Sequence, residues 1–140
     1  SGYVDEALDL ITKYLDYNEF FIRSFLDDVI VDAKAYNKNV RAALLIGTLP
    51  QKHKLRTRLS ELFPGRRIRK CGCDFISPNY GLLKFGFLWR MKLLKKPVSV
   101  WTVNDEQLMR KLLLKKKVDA IVTDFPDKAI KILNENKSNS

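Results

Sequence analysis

The 140 residues carry 26 Lys and Arg against 16 Asp and Glu, a formal net charge of +10, with 46% hydrophobic and 30% charged side chains. That balance suits one globular domain at most, with a core of its own, and it holds neither a secretory signal nor an apolar run able to span a bilayer. One histidine, His53, and a lone C-x-C, Cys71 and Cys73, cannot by themselves make a four-ligand zinc site, so the cysteines read as buried or free thiols.

The positive charge permits contact with nucleic acid or an anionic membrane and establishes neither. Without an RNP motif, zinc finger or Gly/Arg repeat, the sequence argues against nucleic acid. Ser1-Gly2 reads as a cloning remnant. Residues 3–17 place Val4, Ala7, Leu8, Ile11 and Leu15 at helical spacing behind the acids Asp5, Glu6 and Asp9, an amphipathic helix. Phe20-Phe21-Ile22 starts a short strand that leads to Arg23-Ser24-Phe25. Asp27 and Asp28 open a helix with Val29, Ile30, Ala33 and Tyr36 on its buried face, and Asn37-Lys38-Asn39 breaks it. Residues 40–46 form an apolar strand stopped by Gly47 and Pro50.

Beyond it, Leu55, Leu59 and Leu62 line a basic helix that Pro64-Gly65 ends. Arg66-Arg67-Ile68-Arg69-Lys70 is the densest basic run, read as solvated surface or as a phosphate-binding patch. Residues 73–77 make a strand with Pro78-Asn79-Tyr80-Gly81 as its exit loop. Residues 82–94 form the most apolar helix, which packs on the sheet, with Gly86 permitting close approach, or lies on a membrane surface.

The closing stretch, residues 97–126, reads strand, helix, strand. Residues 98–103 are β-branched and aromatic. Asn104 can cap a helix that opens with Asp105 and Glu106, has Leu108, Met109, Leu112 and Leu113 on its apolar face, and pairs Glu106 with Arg110. Lys115, Lys116 and Lys117 suit the helix's negative end. Residues 118–122 suit a parallel strand buried on both faces, and a last helix covers residues 127–134, with a frayed tail at 135–140. Helix and strand alternate throughout, which predicts a parallel α/β sheet. Trp101, Thr102, Asn104, Thr123 and Asp124 then share one rim, at the carboxyl ends of strands. A plainer reading stands beside it: a core aromatic, a helix cap and a turn residue.

W-T-V-N at residues 101–104, a helix, and V-D-x-I-x-T-D-x-P at residues 118–126 together resemble the closing βαβ segment of the glycerophosphodiester phosphodiesterases, TIM-barrel enzymes of the phosphatidylinositol-phospholipase-C-like group. Ser24-Phe25 and the segment 73–80 resemble that family's fourth and sixth strand ends. The resemblance implies a single partial domain over residues 1–140, the C-terminal five βα units of a (β/α)8 barrel. It implies a metal-dependent hydrolase, with Mg²⁺ or Ca²⁺ in the complete enzyme, that splits glycerophosphodiesters into glycerol 3-phosphate and an alcohol. The family's His-Arg pair, Glu-x-Asp, second His and Glu-x-Lys follow the first three strands, and none stands at a matching place here. The chain alone is therefore expected to be catalytically incomplete and to hold no metal. What it would contribute is substrate contact: Phe25 and Trp101 as apolar wall, with Ser24, Asn79, Thr123 and Asp124 as polar groups. Five parallel strands leave exposed edges, so the missing N-terminal units, self-association or a rearranged doubly wound sheet must cover them. Peripheral membrane contact and a cytoplasmic location complete the expectation. A non-catalytic basic module that binds anionic headgroups or nucleic acid is the alternative.

Overall fold

The computed structural model describes residues 2–47 and 61–138. It divides into two compact units, Ser1–Ile76 and Ser77–Ser140. The expected helix at Leu55 and Leu59, the strand stop at Pro50, and His53 lie outside the described residues.

The first unit opens with α1 (Gly2–Ile11), which is shorter than its pattern suggested. Thr12 turns its hydroxyl back to the Leu8 carbonyl at 2.8 Å, a local bond that competes with helix propagation. Val4 and Leu8 pack with Ala33 of α2 (Asp27–Tyr36) and with Val40 in one buried cluster. Asp27 and Asp28 in the first turn of α2 complement the helix dipole. Strand β1 (Ile22–Ser24) runs parallel to β2 (Ala42–Ile46), with Ile22 opposite Ala42 and Ser24 opposite Leu44. Ala42, Ala43, Leu44 and Ile46 are all buried, as a central parallel strand requires.

Helical structure at residues 61–62 stops before Pro64, as expected of Pro64-Gly65, and a further helix, α3 (Gly65–Cys71), opens at the same place. Proline's fixed φ suits a helix's first turn as well as the residues beyond its end. The basic run is thus helical and partly anchored. Arg67 donates to Asp27 Oδ1 through Nε and Nη2, at 2.9 and 2.7 Å, and to the Phe25 carbonyl at 2.9 Å. Gly72 ends α3 at φ 66°, the left-handed cap that glycine adopts without a Cβ penalty. Cys71 and Cys73 are buried thiols, neither in a disulfide. A hydrogen bond from Cys73 lowers the Cys71 thiol to about 7. Strand β3 (Phe75–Pro78) completes the sheet order β1-β2-β3.

In the second unit, a 3₁₀ turn (Tyr80–Leu82) precedes α4 (Phe87–Leu93). The helix expected from residue 82 starts late because Phe85 and Gly86 take φ 51° and 71°, outside helical space. A Cβ on Gly86 would meet only the Arg90 side chain, at 3.8 Å, so glycine serves the dihedral and close approach is not the reason for it. Strand β4 (Ser99–Val100) pairs in parallel with β5 (Ala120–Ile121). Between them α5 (Glu106–Arg110) passes into π-helical turns (Lys111–Lys116), a widening that the apolar face of Leu108, Met109, Leu112 and Leu113 did not signal. Met109 and Leu112 are buried with Val98, Val100 and Val103. Arg110 ties Glu106 at 3.1 Å to Glu135 at 2.8 Å, which joins α5 to α6 (Pro126–Ser138). Helical structure therefore runs past residue 134. The expectation of a doubly buried last strand is overturned: Ala120 is exposed and Ile121 half-buried. Its ladder partner is β4, whereas β2 has a strand on each side.

Candidate functional site

Parallel pairing brings successive strand ends onto one level, and in the second unit this assembles the rim expected from sequence. Asn79, one residue past β3, bridges Trp101, one residue past β4. The Trp101 amide donates to the Pro78 carbonyl and the Tyr80 amide to the Trp101 carbonyl, each at 3.0 Å. The indole N–H donates to the Ser77 carbonyl at 2.7 Å, which fixes the ring. Trp101 is half-buried, so it presents an anchored aromatic surface.

The β4–α5 and β5–α6 loops are joined by a small polar cluster. Asn104 donates through Nδ2 to Asp124 Oδ2 at 2.6 Å. Its Oδ1 accepts from the Asp124 amide at 3.0 Å and from the Thr123 hydroxyl at 3.2 Å. Thr123 Oγ1 in turn accepts from the Phe125 amide at 3.0 Å. Asn104 is therefore no helix cap, which corrects the reading of it as one. Asp105 caps α5, with its carboxylate accepting from the Leu108 amide at 2.8 Å. Two good capping residues stand side by side, and the second leaves the first to bridge the loops. Asn79 Oδ1 accepts from the Gly81 amide at 2.9 Å and so caps the 3₁₀ turn.

Ser24 and Phe25 stand at the carboxyl end of β1, in the first unit. Ser24 Oγ accepts from the Leu26 amide at 3.0 Å. The Arg67 guanidinium holds the Phe25 carbonyl, an anchoring role that the sequence hid inside a run read as surface charge. The structure thus gathers Asn79 with Trp101, and Thr123 with Asp124 and Asn104.

Chemically the second unit's rim offers an aromatic face, amide and hydroxyl donors, and one carboxylate already hydrogen-bonded. It contains no histidine. Among the described residues, no group of three His, Cys, Asp or Glu side chains is placed to hold a metal ion. The described residues therefore do not fit the divalent cation that the family resemblance implies.

A model of the glycerophosphoryl diester phosphodiesterase family matches residues 1–128. No curated protein matches the chain with comparable significance. Among solved structures, a Silicibacter pomeroyi protein assigned to the glycerophosphoryl diester phosphodiesterases superposes with a TM-score of 0.79 at 22% identity, over 94% of this chain and 43% of its own. A glycerophosphodiester phosphodiesterase from Parabacteroides distasonis gives 0.75 at 20% identity, over 96% of this chain and 51% of its own. An Oleispira antarctica phosphodiesterase, solved with its product sn-glycerol-3-phosphate, gives 0.74 at 17% identity, over 94% and 49%. The chain spans about half the length of these relatives. Five βα units with parallel pairing, matched to part of a TIM barrel, bear out the expected fold class.

Proposed function

The chain belongs to the glycerophosphoryl diester phosphodiesterase family, and from that premise we propose that it is the substrate-side part of a metal-dependent barrel. The completed barrel hydrolyses glycerophosphodiesters to glycerol 3-phosphate and an alcohol. The observation that carries this reading is the rim at the carboxyl ends of β4 and β5, where Trp101 is pinned by Ser77 and Asn104 locks Thr123 to Asp124. Such rims are where barrel enzymes bind substrate.

Trp101 supplies apolar surface to the glycerol or the leaving alcohol, and Phe25 does the same from the end of β1. Ser24, Asn79 and Thr123 offer hydrogen bonds. Asp124 acts through Asn104 and so positions the loop. The acid, the base and the carboxylates that hold Mg²⁺ or Ca²⁺ belong to the N-terminal βα units, which also cover the open sheet face. This chain alone is then inactive. The second reading, a non-catalytic module for an anionic ligand, is favoured by one observation, the lysine cleft described below.

The test is hydrolysis of glycerophosphocholine with Mg²⁺ or Ca²⁺, with and without EDTA. The chain alone should show no turnover, and addition of the N-terminal βα units of a family member should restore it. In that completed enzyme, Trp101→Ala should lower kcat/KM about tenfold, equivalent to ~1.4 kcal/mol. EDTA-sensitive turnover by the unaided chain would overturn its incompleteness. Restored turnover indifferent to Trp101→Ala would overturn the assignment of the wall.

A further inference from the structure

The amino ends of β4 and β5 carry a second feature, at the other end of the strands from the Trp101 rim. Between the turn that leads into β4 and the turn that leads into β5 lies a cleft of about 610 Å³. It is lined by Lys92, Lys95, Lys96, Lys115, Lys116 and Lys117, with Asp119 the one carboxylate among its lining residues. Asp119 already accepts from the Val98 amide at 2.8 Å. Lys95 and Lys117 both take φ 52°, a conformation that glycine adopts more cheaply. Two consecutive helix-to-strand turns thus each set a lysine at the same strained position, and both lysines face one cleft.

The cleft has an apolar border. Trp89 lines it and is 65% exposed, and Leu93, one turn further along α4, is 62% exposed. Phe85, just ahead of the helix, is 77% exposed. Like charges converging on an open cleft call for an anionic partner. A nucleic-acid backbone satisfies lysines but leaves an aliphatic Leu93 in water. Moreover, base and phosphate recognition favours the arginine fork, and every cation lining this cleft is lysine. A bilayer surface accommodates the whole set: ammonium groups among anionic headgroups, with Trp, Phe and Leu in the interfacial layer.

We propose that this lysine cleft and its Trp89–Leu93 border form a docking surface for an anionic phospholipid bilayer, at the opposite ends of the strands from the substrate rim. The surface would dock the chain on a membrane whether or not it hydrolyses a phosphodiester, so binding and catalysis can fail separately.

Co-sedimentation of the 140-residue chain with vesicles tests the proposal. Binding is expected to phosphatidylcholine vesicles containing about 30 mol% phosphatidylserine, to weaken steeply from about 0.05 to 0.5 M salt, and to be slight on phosphatidylcholine alone. Each lysine near the surface is worth about a fivefold change in partition, so Lys115→Glu, Lys116→Glu and Lys117→Glu combined should reduce it by at least about 100-fold. These side chains are exposed, and circular dichroism of the variant checks its fold. Trp89→Phe should abolish the part of the tryptophan quenching by brominated acyl chains that comes from position 89. Equal loss on Arg66→Glu with Arg69→Glu would mean that net charge alone drives binding, and would overturn the site. So would salt-insensitive binding to neutral vesicles, or displacement from vesicles by a DNA duplex that binds the cleft more tightly.

Discussion

One device appears in both units of the molecule, and its surroundings differ. Asp74, directly before β3, accepts from the amide of Ala42 at the start of β2, at 2.7 Å. Asp119, directly before β5, accepts from the amide of Val98 beside β4, at 2.8 Å. Each aspartate satisfies a backbone donor at the mouth of a parallel ladder, where strand pairing has yet to begin. In the first unit the arrangement is closed. Lys34 reaches Asp74 at 2.5 Å and also donates to the carbonyls of Val40 at 2.7 Å and Lys38 at 3.3 Å. In the second unit Asp119 sits in an open cleft among six lysines. The strands follow the same division, with β2 buried and β5 half-open. One unit uses Lys34 to close a strand entrance; the other presents Lys92, Lys95, Lys115, Lys116 and Lys117 to solvent. The first arrangement serves stability and the second leaves charge available for a ligand.

The largest test of that division compares core positions. Leu44→Ala, at a fully buried position of β2, should cost about 2–5 kcal/mol in urea unfolding. Ile121→Ala in half-buried β5 should cost under about 1 kcal/mol, because the site is already partly hydrated. Equal costs would break the comparison.

The aspartates provide a finer test. Asp74→Ala leaves the Ala42 amide unsatisfied and Lys34 without its carboxylate, and should cost about 1–3 kcal/mol. Asp119→Ala should cost about 1 kcal/mol or less, since Asp119 is exposed and water can replace it at the Val98 amide. Amide hydrogen exchange at Ala42 and Val98 reads each loss locally. A larger acceleration of exchange at Val98 than at Ala42, each measured against the unsubstituted chain, would reverse the assignment of the tighter entrance.

Much of the fold was legible because hydrophobic pattern reports burial. The run 42–46 reads as a strand, and Leu8 and Ile30 mark helix faces that are buried. Pattern does not report neighbours, so the equally apolar run 118–122 read as doubly buried, although its ladder partner is β4. Nor does it report dihedrals: positive φ at Phe85 and Gly86 moved the start of α4, and Pro64-Gly65 fits the entry to a helix as well as its exit. At the candidate site, strand ends singled out Trp101, Thr123 and Asp124 because barrel geometry concentrates ligand contacts there. Which of them bond to one another depends on loop geometry, and Asn104 shows why.

Asn104 and Asp105 are both strong capping residues, and sequence alone offers no preference between them. The structure gives the helix to Asp105 and the loops to Asn104. Asp105→Ala should therefore cost about 1 kcal/mol and speed exchange of the Leu108 amide, whose acceptor it removes. Asn104→Ala should cost less and leave Leu108 protected. Its effect should fall on the Asp124 amide, which loses its acceptor, and on the freedom of the Thr123 and Asp124 side chains. In the completed enzyme that difference carries over: Asn104→Ala would disturb the rim while α5 stays intact, and Asp105→Ala would loosen the helix with the rim still bridged. Loss of Leu108 protection in Asn104→Ala would return Asn104 to the role of helix cap and remove the bridge from the argument for the site.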